Sequence, residues 1–258
     1  MTAPDVLVGY TGLVGGNLDA QRVFAVHVNS SNAGELRGGA FGHVVFSAAK
    51  AEKWRANADP MADARHIDEL IALLASFHAE RVTLVSTVDV YGTPREVDER
   101  SPVRAQGLHA YGANRYRLEQ AVADLHERSL VVRLPALFGP GLKKNVVYDL
   151  LHDNQVDRIQ PASSFQYYDL TRLADDLDVL WANGVALANL VTEPTLTATV
   201  VERAFAQRPL PSSSELPVVR YDVRTRYGAL LGGDGDYIES SDSVLARLSG
   251  FVQNAALA

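Results

Sequence analysis

The chain has 258 residues, 47% of them apolar, with 24 Lys plus Arg against 31 Asp plus Glu for a net charge of −7. At about 100–200 residues per domain, this suits one large domain or one domain with a small appended lobe. With no cysteine, a disulfide framework, a thiol nucleophile and a Cys-ligated zinc or iron–sulfur site are excluded, and the mild acidity lacks the basic footprint of a nucleic-acid binder. In chain order, Met1–Asp5 carries no basic leader, and no apolar run reaches the roughly 18 residues of a membrane span. The expectation is a cytoplasmic protein with neither a membrane nor a nucleic-acid partner. Through the first half, short β-branched runs alternate with helical stretches, the pattern of parallel strands joined by crossover helices. Strands are expected at Val6–Val8, Val23–Val28, His43–Ser47, Val82–Ser86 and Leu130–Leu134. Between the third and fourth, Asp59 caps a helix with Pro60 in its first turn and Ile67, Leu70, Ile71, Leu74 and Phe77 on one stripe. A second long helix covers Tyr111 to Leu125, with Tyr111, Leu118 and Val122 on one face. After Gly139 the alternation loosens. Short strands are read near Ile159, Leu187–Val191 and Val218–Tyr221, and helices near Asn145–His152, Arg172–Trp181, Thr197–Phe205 and Ser243–Val252. Pro209–Pro217 has the composition of an exposed loop and Gly232–Gly235 that of a turn.

Residues 5–16 read DVLVGYTGLVGG, an apolar strand running into Gly9, Gly12 and Gly15 and then a helix start. Such a turn brings backbone N–H groups and the positive end of a helix dipole close to a pyrophosphate, an approach that a Cβ would block. A ligand-free tight turn is the alternative. The interval from Gly15 to Val23 is short and implies a truncated first helix. Dinucleotide folds place an acidic residue about 20 residues beyond the glycines for the adenosine ribose. Here the second strand ends in Val28-Asn29-Ser30-Ser31-Asn32, with Arg37 the only nearby cation. NAD and NADP therefore both stay open, with NAD the favoured of the two.

Tyr111 and Arg115 in YGANR stand four residues apart, on one helix face. A fixed positive charge there stabilises phenolate and lowers the tyrosine pKa from about 10, which suits general acid/base work. Upstream, STVDVYG (86–92) delivers Thr87 and Asp89 to the carboxyl edge of the sheet, where ligands bind in open α/β sheets. A hydroxyl such as Thr87 holds a substrate oxygen for proton exchange with Tyr111. Asp89 is either a base beside a carbonyl or an aspartate bonding its own turn.

These segments resemble the extended short-chain dehydrogenases/reductases, the NAD-dependent epimerase/dehydratase family. GYTGLVG resembles its N-terminal GxxGxxG, STVDVYG its SSxxVYG, and YGANR with Glu119 its YGxSKxxxE. LPALFGPG (134–141), preceded by Arg133, resembles RxxNVYGPG, and LANLVTEPTLT (187–197), keeping Asn189, resembles YNxGxxxxxT. The resemblance implies an α/β fold, a Rossmann-type doubly wound parallel sheet with a small C-terminal substrate lobe. It is expected as one unit, with residues 1–140 or so mainly dinucleotide-binding and 141–258 mainly substrate lobe. It also implies a nicotinamide cofactor, a small-molecule substrate of the sugar or nucleotide-sugar kind, and a homodimer. Catalysis is expected from Thr87, Tyr111, Arg115 and Asp89. Cofactor contacts are expected at Gly9, Thr11, Gly12, Leu13, Val14, Gly15, Asn29, Ser30, Ala48, Ala49 and Pro135, together with Tyr111 and Arg115. Substrate contacts are expected at Thr87, Asp89, Lys144, Asn145 and Tyr168.

The departures from that pattern bear on the chemistry. Arg115 stands where the family has lysine, keeping the charge on a bulkier planar fork. Asn114 replaces a small serine, read as a neutral change, and Ala136 replaces an asparagine. Val88-Asp89 lacks the paired carboxyls of the dehydratases, so water elimination is disfavoured. Phe165 takes the place of an arginine that meets a sugar-nucleotide diphosphate; Arg172, Lys143 and Lys144 are the cations available to compensate. Tyr167 and Tyr168 are expected as core and pocket wall, Trp54 as lobe packing, and His109 as a surface residue at a helix start. The seven histidines show no metal-ligand spacing, so no metal is expected. Two functions compete: an NAD(P)-dependent epimerase or reductase, and a non-catalytic dinucleotide-binding sensor or regulatory protein.

Overall fold

Val6, Leu7 and Val8 are all buried, as a strand covered on both faces requires, and they open the central sheet of the computed structural model, which describes residues 3–104, 106–205, 208 and 216–255. The strands are β1 (Val6–Val8), β2 (Val26–Val28), β3 (Ala40–Phe46), β4 (His78–Thr87), β5 (Arg95–Val97), β6 (Ser129–Leu134), β7 (Ala136–Phe138), β8 (Ser164–Phe165), β9 (Tyr167–Asp169), β10 (Leu187–Asn189), β11 (Thr195–Leu196) and β12 (Asp222–Val223). The helices are α1 (Leu13–Gln21), α2 (Lys53–Ala58), α3 (Pro60–Leu74), α4 (Ala110–Leu125), α5 (Val146–His152), α6 (Leu173–Ala182), α7 (Thr197–Ala204) and α8 (Ser241–Ala255). Six strands form one parallel sheet in the order β2-β1-β3-β4-β6-β10. Val6 pairs with both Val26 and Val44, and Arg133 with both Ser86 and Asn189.

Alternation along these strands feeds two cores. Leu7, Val45, Leu130 and Val132 pack against Leu18 of α1 and Leu173, Leu177 and Leu180 of α6. Val6, Val8, Val44, Phe46 and Val82 pack against Ile67, Leu70 and Leu74 of α3 and Leu118 and Val122 of α4. That is the doubly wound arrangement. Asp59 caps α3 by accepting from the Ala62 N–H at 3.0 Å. A third core joins α5, α7 and α8 through Val147, Leu150, Val200 and Leu248 with Phe138 and Tyr167. No described helix is long and apolar enough to cross a membrane.

The sheet departs from the common dinucleotide-binding strand order, and several element bounds differ from the sequence expectation. Only one strand lies beyond β1, against two in the 3-2-1-4-5-6 order of the dinucleotide-binding fold. From Val28 to Ala40 the chain makes one short turn, Ala33–Leu36, and parallel strands need crossovers of about a dozen residues. The second strand begins at Val26, because Val23 lies outside the sheet and is 92% exposed. Ile159 follows a 3₁₀ turn and is core, not strand. Over Val218–Tyr221 only Arg220 bridges, to Ser164, and the strand is Asp222–Val223. The Pro209–Pro217 loop lies largely outside the described residues. The helix α2 and the short strands β5, β7 and β8 have no periodicity to announce them.

His43 on β3 is buried against Thr83, 2.8 Å from Nε2 to Oγ1. Burial, reinforced by Arg81, lowers its pKa from 6.5 to about 3. The fold therefore favours neutral imidazole, whereas the unfolded chain takes a proton as pH drops below 6.5. Stability is fully present above pH 6.5 and is lost as pH falls toward 3, by up to about 1.4 kcal/mol per unit from this residue. Urea midpoints at pH 7.5 and 5.0 should differ accordingly, and His43→Phe should remove most of that difference; an unchanged pH dependence in the variant would contradict this assignment.

Candidate active site

The crevice lies where the chain turns from β1 to β2 on one side and to β3 on the other, the reversal point at which open α/β sheets bind ligands. Gly9 has φ +90°, and a Cβ there would lie 2.7 Å from the Ser47 carbonyl group; a Cβ on Gly15 would overlap the Gly9 carbonyl. The turn itself demands both glycines. Gly12 differs, since its Cβ would meet only the Gly9 oxygen, at 3.3 Å. It is exposed at the N-terminus of α1, where no side chain caps the helix. A glycine open to solvent at an uncapped helix start fits an anion. Thr11 is exposed, Leu13 and Val14 are half-buried on the first core, and Ala48, Ala49 and Pro135 are half-buried at the ends of β3 and β6.

At the end of β2, Asn29 organises its own turn. Its Oδ1 accepts from the Ser31 N–H at 2.8 Å and hydroxyl at 2.6 Å, and its amide donates to the Tyr10 hydroxyl at 3.2 Å. Ser30 beside it is exposed.

Tyr111 opens α4 and is 6% exposed. His109 caps this helix, its Nδ1 accepting from the Gly112 N–H at 3.0 Å, and burial lowers the His109 pKa, which keeps that nitrogen an acceptor. The histidine is thus a cap rather than a surface residue. A Cβ on Gly112 would overlap the Asp89 carbonyl, so glycine lets α4 sit directly on the end of β4. The Tyr111 N–H donates to Asn57 Oδ1 at 3.1 Å, and the Thr87 side chain lies beside the phenol.

Arg115 stacks over the Tyr111 ring, 4.4 Å from guanidinium carbon to centroid. It is 3% exposed and committed elsewhere. Nη1 reaches both oxygens of Asp63 on α3 at 3.0 and 3.1 Å, and Nη2 donates to Asp63 Oδ1 at 3.1 Å and to the Lys50 carbonyl. Asn114, expected to be a neutral change, donates to the same carboxylate at 2.8 Å. The expected lowering of the Tyr111 pKa is therefore reversed. Burial pushes it above 10, and Asp89 and Asp63 add to that, outweighing Arg115 and the Thr87 side chain. The phenol is protonated at neutral pH.

Five residues of the sequence motifs meet in one largely buried network. Arg133 grips Glu119 of α4 through Nε at 3.0 Å and Nη2 at 2.5 Å, and donates from Nη1 to the Tyr91 hydroxyl at 2.7 Å. Asn189 donates to that hydroxyl at 3.1 Å, and Ser86 to Glu119 at 2.5 Å. The network ties α4 to β4, β6 and β10, which fixes Tyr111 against Thr87.

Asp89 neither bonds only its own turn nor stands free. Its Oδ1 accepts from Lys53 of α2 and from Tyr221, each at 2.7 Å, and the ammonium lies 3.2 Å from the Tyr221 oxygen. The Asp89 N–H donates to Thr87 Oγ1 at 3.1 Å. Tyr221, raised by burial and by Asp89, stays a hydrogen-bond donor.

Three substrate-side expectations are corrected. Tyr168 is 0% exposed in the first core, with its hydroxyl bonded to Asp176 at 2.7 Å, because its strand turns that side chain toward α6 rather than to the pocket. Asn145 is the N-cap of α5, accepting from Val147 and Tyr148 and donating to the Leu137 carbonyl at 2.7 Å. Arg172 is tied to Glu239, Asp176 and the Leu231 carbonyl, which removes it as a compensating cation. Lys144 spans to the Ala51 carbonyl. Trp54, expected in lobe packing, is instead 73% exposed.

No family model matches the sequence, and no curated protein matches it. Solved structures do. A dTDP-4-dehydrorhamnose reductase of Clostridium acetobutylicum superposes with a TM-score of 0.74 at 15% identity, covering 97% of this chain and 98% of the other. A UDP-N-acetylglucosamine 4-epimerase of Methanobrevibacter ruminantium, in complex with UDP-N-acetylmuramic acid, gives 0.76 at 12% identity over 98% and 97%. MoeE5, in complex with UDP-glucuronic acid and NAD, gives 0.72 at 16% over 97% and 99%. The chain has the fold of the extended short-chain dehydrogenases/reductases. On that fold the crevice between β1 and β3 and the head of α4 open at the same edge of the sheet.

Sequence reasoning missed Asp63, Lys53 and Tyr221. Asp63 left a signal, an acidic residue on the stripe shared by Ile67, Leu70 and Leu74, where a charge needs a buried partner. Lys53 and Tyr221 left none, since only the tertiary fold brings them to Asp89.

Proposed function

We propose that the protein is an NAD(P)-dependent oxidoreductase or epimerase acting on a hydroxyl or carbonyl group of a small molecule, with NAD the favoured cofactor. The observation that carries this reading is the Tyr111 phenol held beside Thr87 at the edge of the β1/β3 crevice. The first part of the chain, to about residue 140, is proposed as mainly dinucleotide-binding and the remainder as mainly substrate lobe. Gly9, Thr11, Gly12, Leu13, Val14 and Gly15 are assigned to the pyrophosphate, Ala48, Ala49 and Pro135 to the crevice walls, and Asn29 and Ser30 to the adenosine end. A nicotinamide dinucleotide bound there supplies or accepts the hydride. Thr87 holds the substrate oxygen, and Tyr111 gives its phenolic proton to a carbonyl oxygen as the carbon is reduced, becoming phenolate. In the reverse direction that phenolate takes the carbinol proton. A phenol with its pKa raised is already in the proton-donating form at neutral pH, which favours carbonyl reduction. Arg115 acts through Tyr111 as a positioning residue, as does Asp89 through Lys53 and Tyr221.

Gly12→Val tests the cofactor assignment. Gly12 is exposed and a Cβ there meets only the Gly9 oxygen, at 3.3 Å, so the thermal midpoint should fall little, whereas a phosphate approaching the α1 terminus is blocked and NAD affinity should fall by about a hundredfold, comparable to a lost charge-assisted contact set. Calorimetry showing unchanged NAD affinity, or native mass spectrometry finding no NAD on the parent protein, would overturn the assignment. One observation favours the second reading, a non-catalytic dinucleotide sensor: Arg115 is spent on Asp63 and the Lys50 carbonyl. That reading expects NAD binding without Tyr111-dependent turnover.

A further inference from the structure

Beside the site lies a cleft of about 750 Å³, within the roughly 300–1,000 Å³ of small-molecule sites. Trp54 of α2, Val146 of α5, Ile159, Phe165 of β8, Pro217 and Val219 supply its apolar walls. Its wall abuts the groups around the Tyr111 centre. Phe165 packs on Tyr221 at 5.7 Å between ring centroids, the Tyr221 hydroxyl bonds Asp89, and Lys53, which bonds the same oxygen, immediately precedes Trp54. A substrate whose reacting carbon sits at Thr87 and Tyr111 thus has this cleft beside it for its remainder.

The charge of that space discriminates between the substrates that the fold admits. The lining holds one guanidinium, Arg158, and one carboxylate, Asp149. Arg158 already donates to Gln155 at 3.0 Å, and Asp149 accepts from Asn154 at 2.6 Å. Lys53, which precedes Trp54, is paired with Asp89, and Lys144 donates to the Ala51 carbonyl. A diphosphate brings about two negative charges, and a buried charge without a partner is costly. Aromatic rings, by contrast, match the exposed indole of Trp54 and the Phe165 face.

We propose that this cleft receives an uncharged aromatic portion of the substrate, so that the enzyme acts on a carbonyl or carbinol carried by an aromatic group rather than on a nucleotide diphosphate sugar. The assignment of the reacting end rests on the oxidoreductase reading above; the assignment of the cleft does not. The test uses the neutral fluorophore N-phenyl-1-naphthylamine on the full chain, with UDP as competitor. One probe should bind per protein with enhanced emission, and millimolar UDP should leave it in place. Trp54→Ala and Val219→Asp, both at exposed positions that the fold tolerates, should each weaken the probe by about tenfold or more, the loss expected for one large apolar contact. Phe165→Arg should weaken the probe and introduce displacement by UDP. Displacement by UDP from the parent protein, or probe affinity unchanged in both Trp54→Ala and Val219→Asp, would overturn the proposal. Tyr111→Phe should leave probe affinity intact. Probe binding without NAD binding would remove the oxidoreductase reading and keep the cleft, whereas NAD-dependent turnover with tight UDP binding would remove the cleft proposal alone.

Discussion

Tyr111→Phe is expected to lower turnover by about 10²–10⁴-fold, the usual worth of a positioned general acid or base, while NAD affinity and folding stay close to the parent. The ring keeps its place, since the Arg115 stack and the Asn57 contact to the backbone do not involve the phenolic oxygen. The pH profile sharpens the test. Burial raises the pKa of this phenol above 10, so carbonyl reduction should run on a flat plateau through neutral pH and decline only in the strongly alkaline range, when the proton donor is lost. Oxidation of the carbinol requires phenolate, so its rate should climb with pH over the same range. Steady-state rates in both directions from pH 6 upward check this; comparable turnover in the phenylalanine variant would remove Tyr111 from the chemistry.

Asp63→Asn should have the largest effect on stability, a loss of about 3–5 kcal/mol, because it leaves the Arg115 guanidinium buried without its counter-charge. Both side chains lie almost wholly out of water, at 3% and 7% side-chain exposure, so solvent screening offers little relief. The same change should act on Tyr111 in the opposite sense. Asp63 is one of the charges that raise the phenol's pKa, and its removal leaves Arg115 free to favour phenolate, moving the alkaline limb of the reduction profile to lower pH. Urea denaturation and the pH profile measure the two consequences separately. A variant as stable as the parent would show that the pair is worth no more than a surface ion pair, and an unmoved limb would show that Asp63 does not reach the phenol electrostatically.

That pair also explains why arginine stands at position 115. An ammonium is a compact point charge, whereas the planar fork binds a carboxylate at several points and stacks on an aromatic face. Arg115 does both, with Asp63 and Tyr111. The structural consequence is a rigid phenol; the chemical consequence is that most of the positive charge facing it is answered by a carboxylate.

The order of the central strands and of the two long helices α3 and α4, the glycine turn and the placing of Thr87 and Tyr111 at one sheet edge were legible from local signals. Apolar runs such as Val6–Val8 need cover on both faces, the stripe from Ile67 to Leu74 has helical period, and Gly9 and Gly15 occupy a turn that a Cβ would clash with. Such signals lie within a few residues of one another. What required the folded chain was the pairing of distant charges. Arg115 looked like an unopposed cation until α3 brought Asp63 to it, and Asp89 like a free base or an aspartate of its own turn until Lys53 and Tyr221 closed on it from 36 and 132 residues away. Tyr168 was placed in the core by the pleat of a three-residue strand, too short for its two faces to be told apart by period. Partner choice for a charge depends on three-dimensional distance and burial, and neither is written in spacing along the chain.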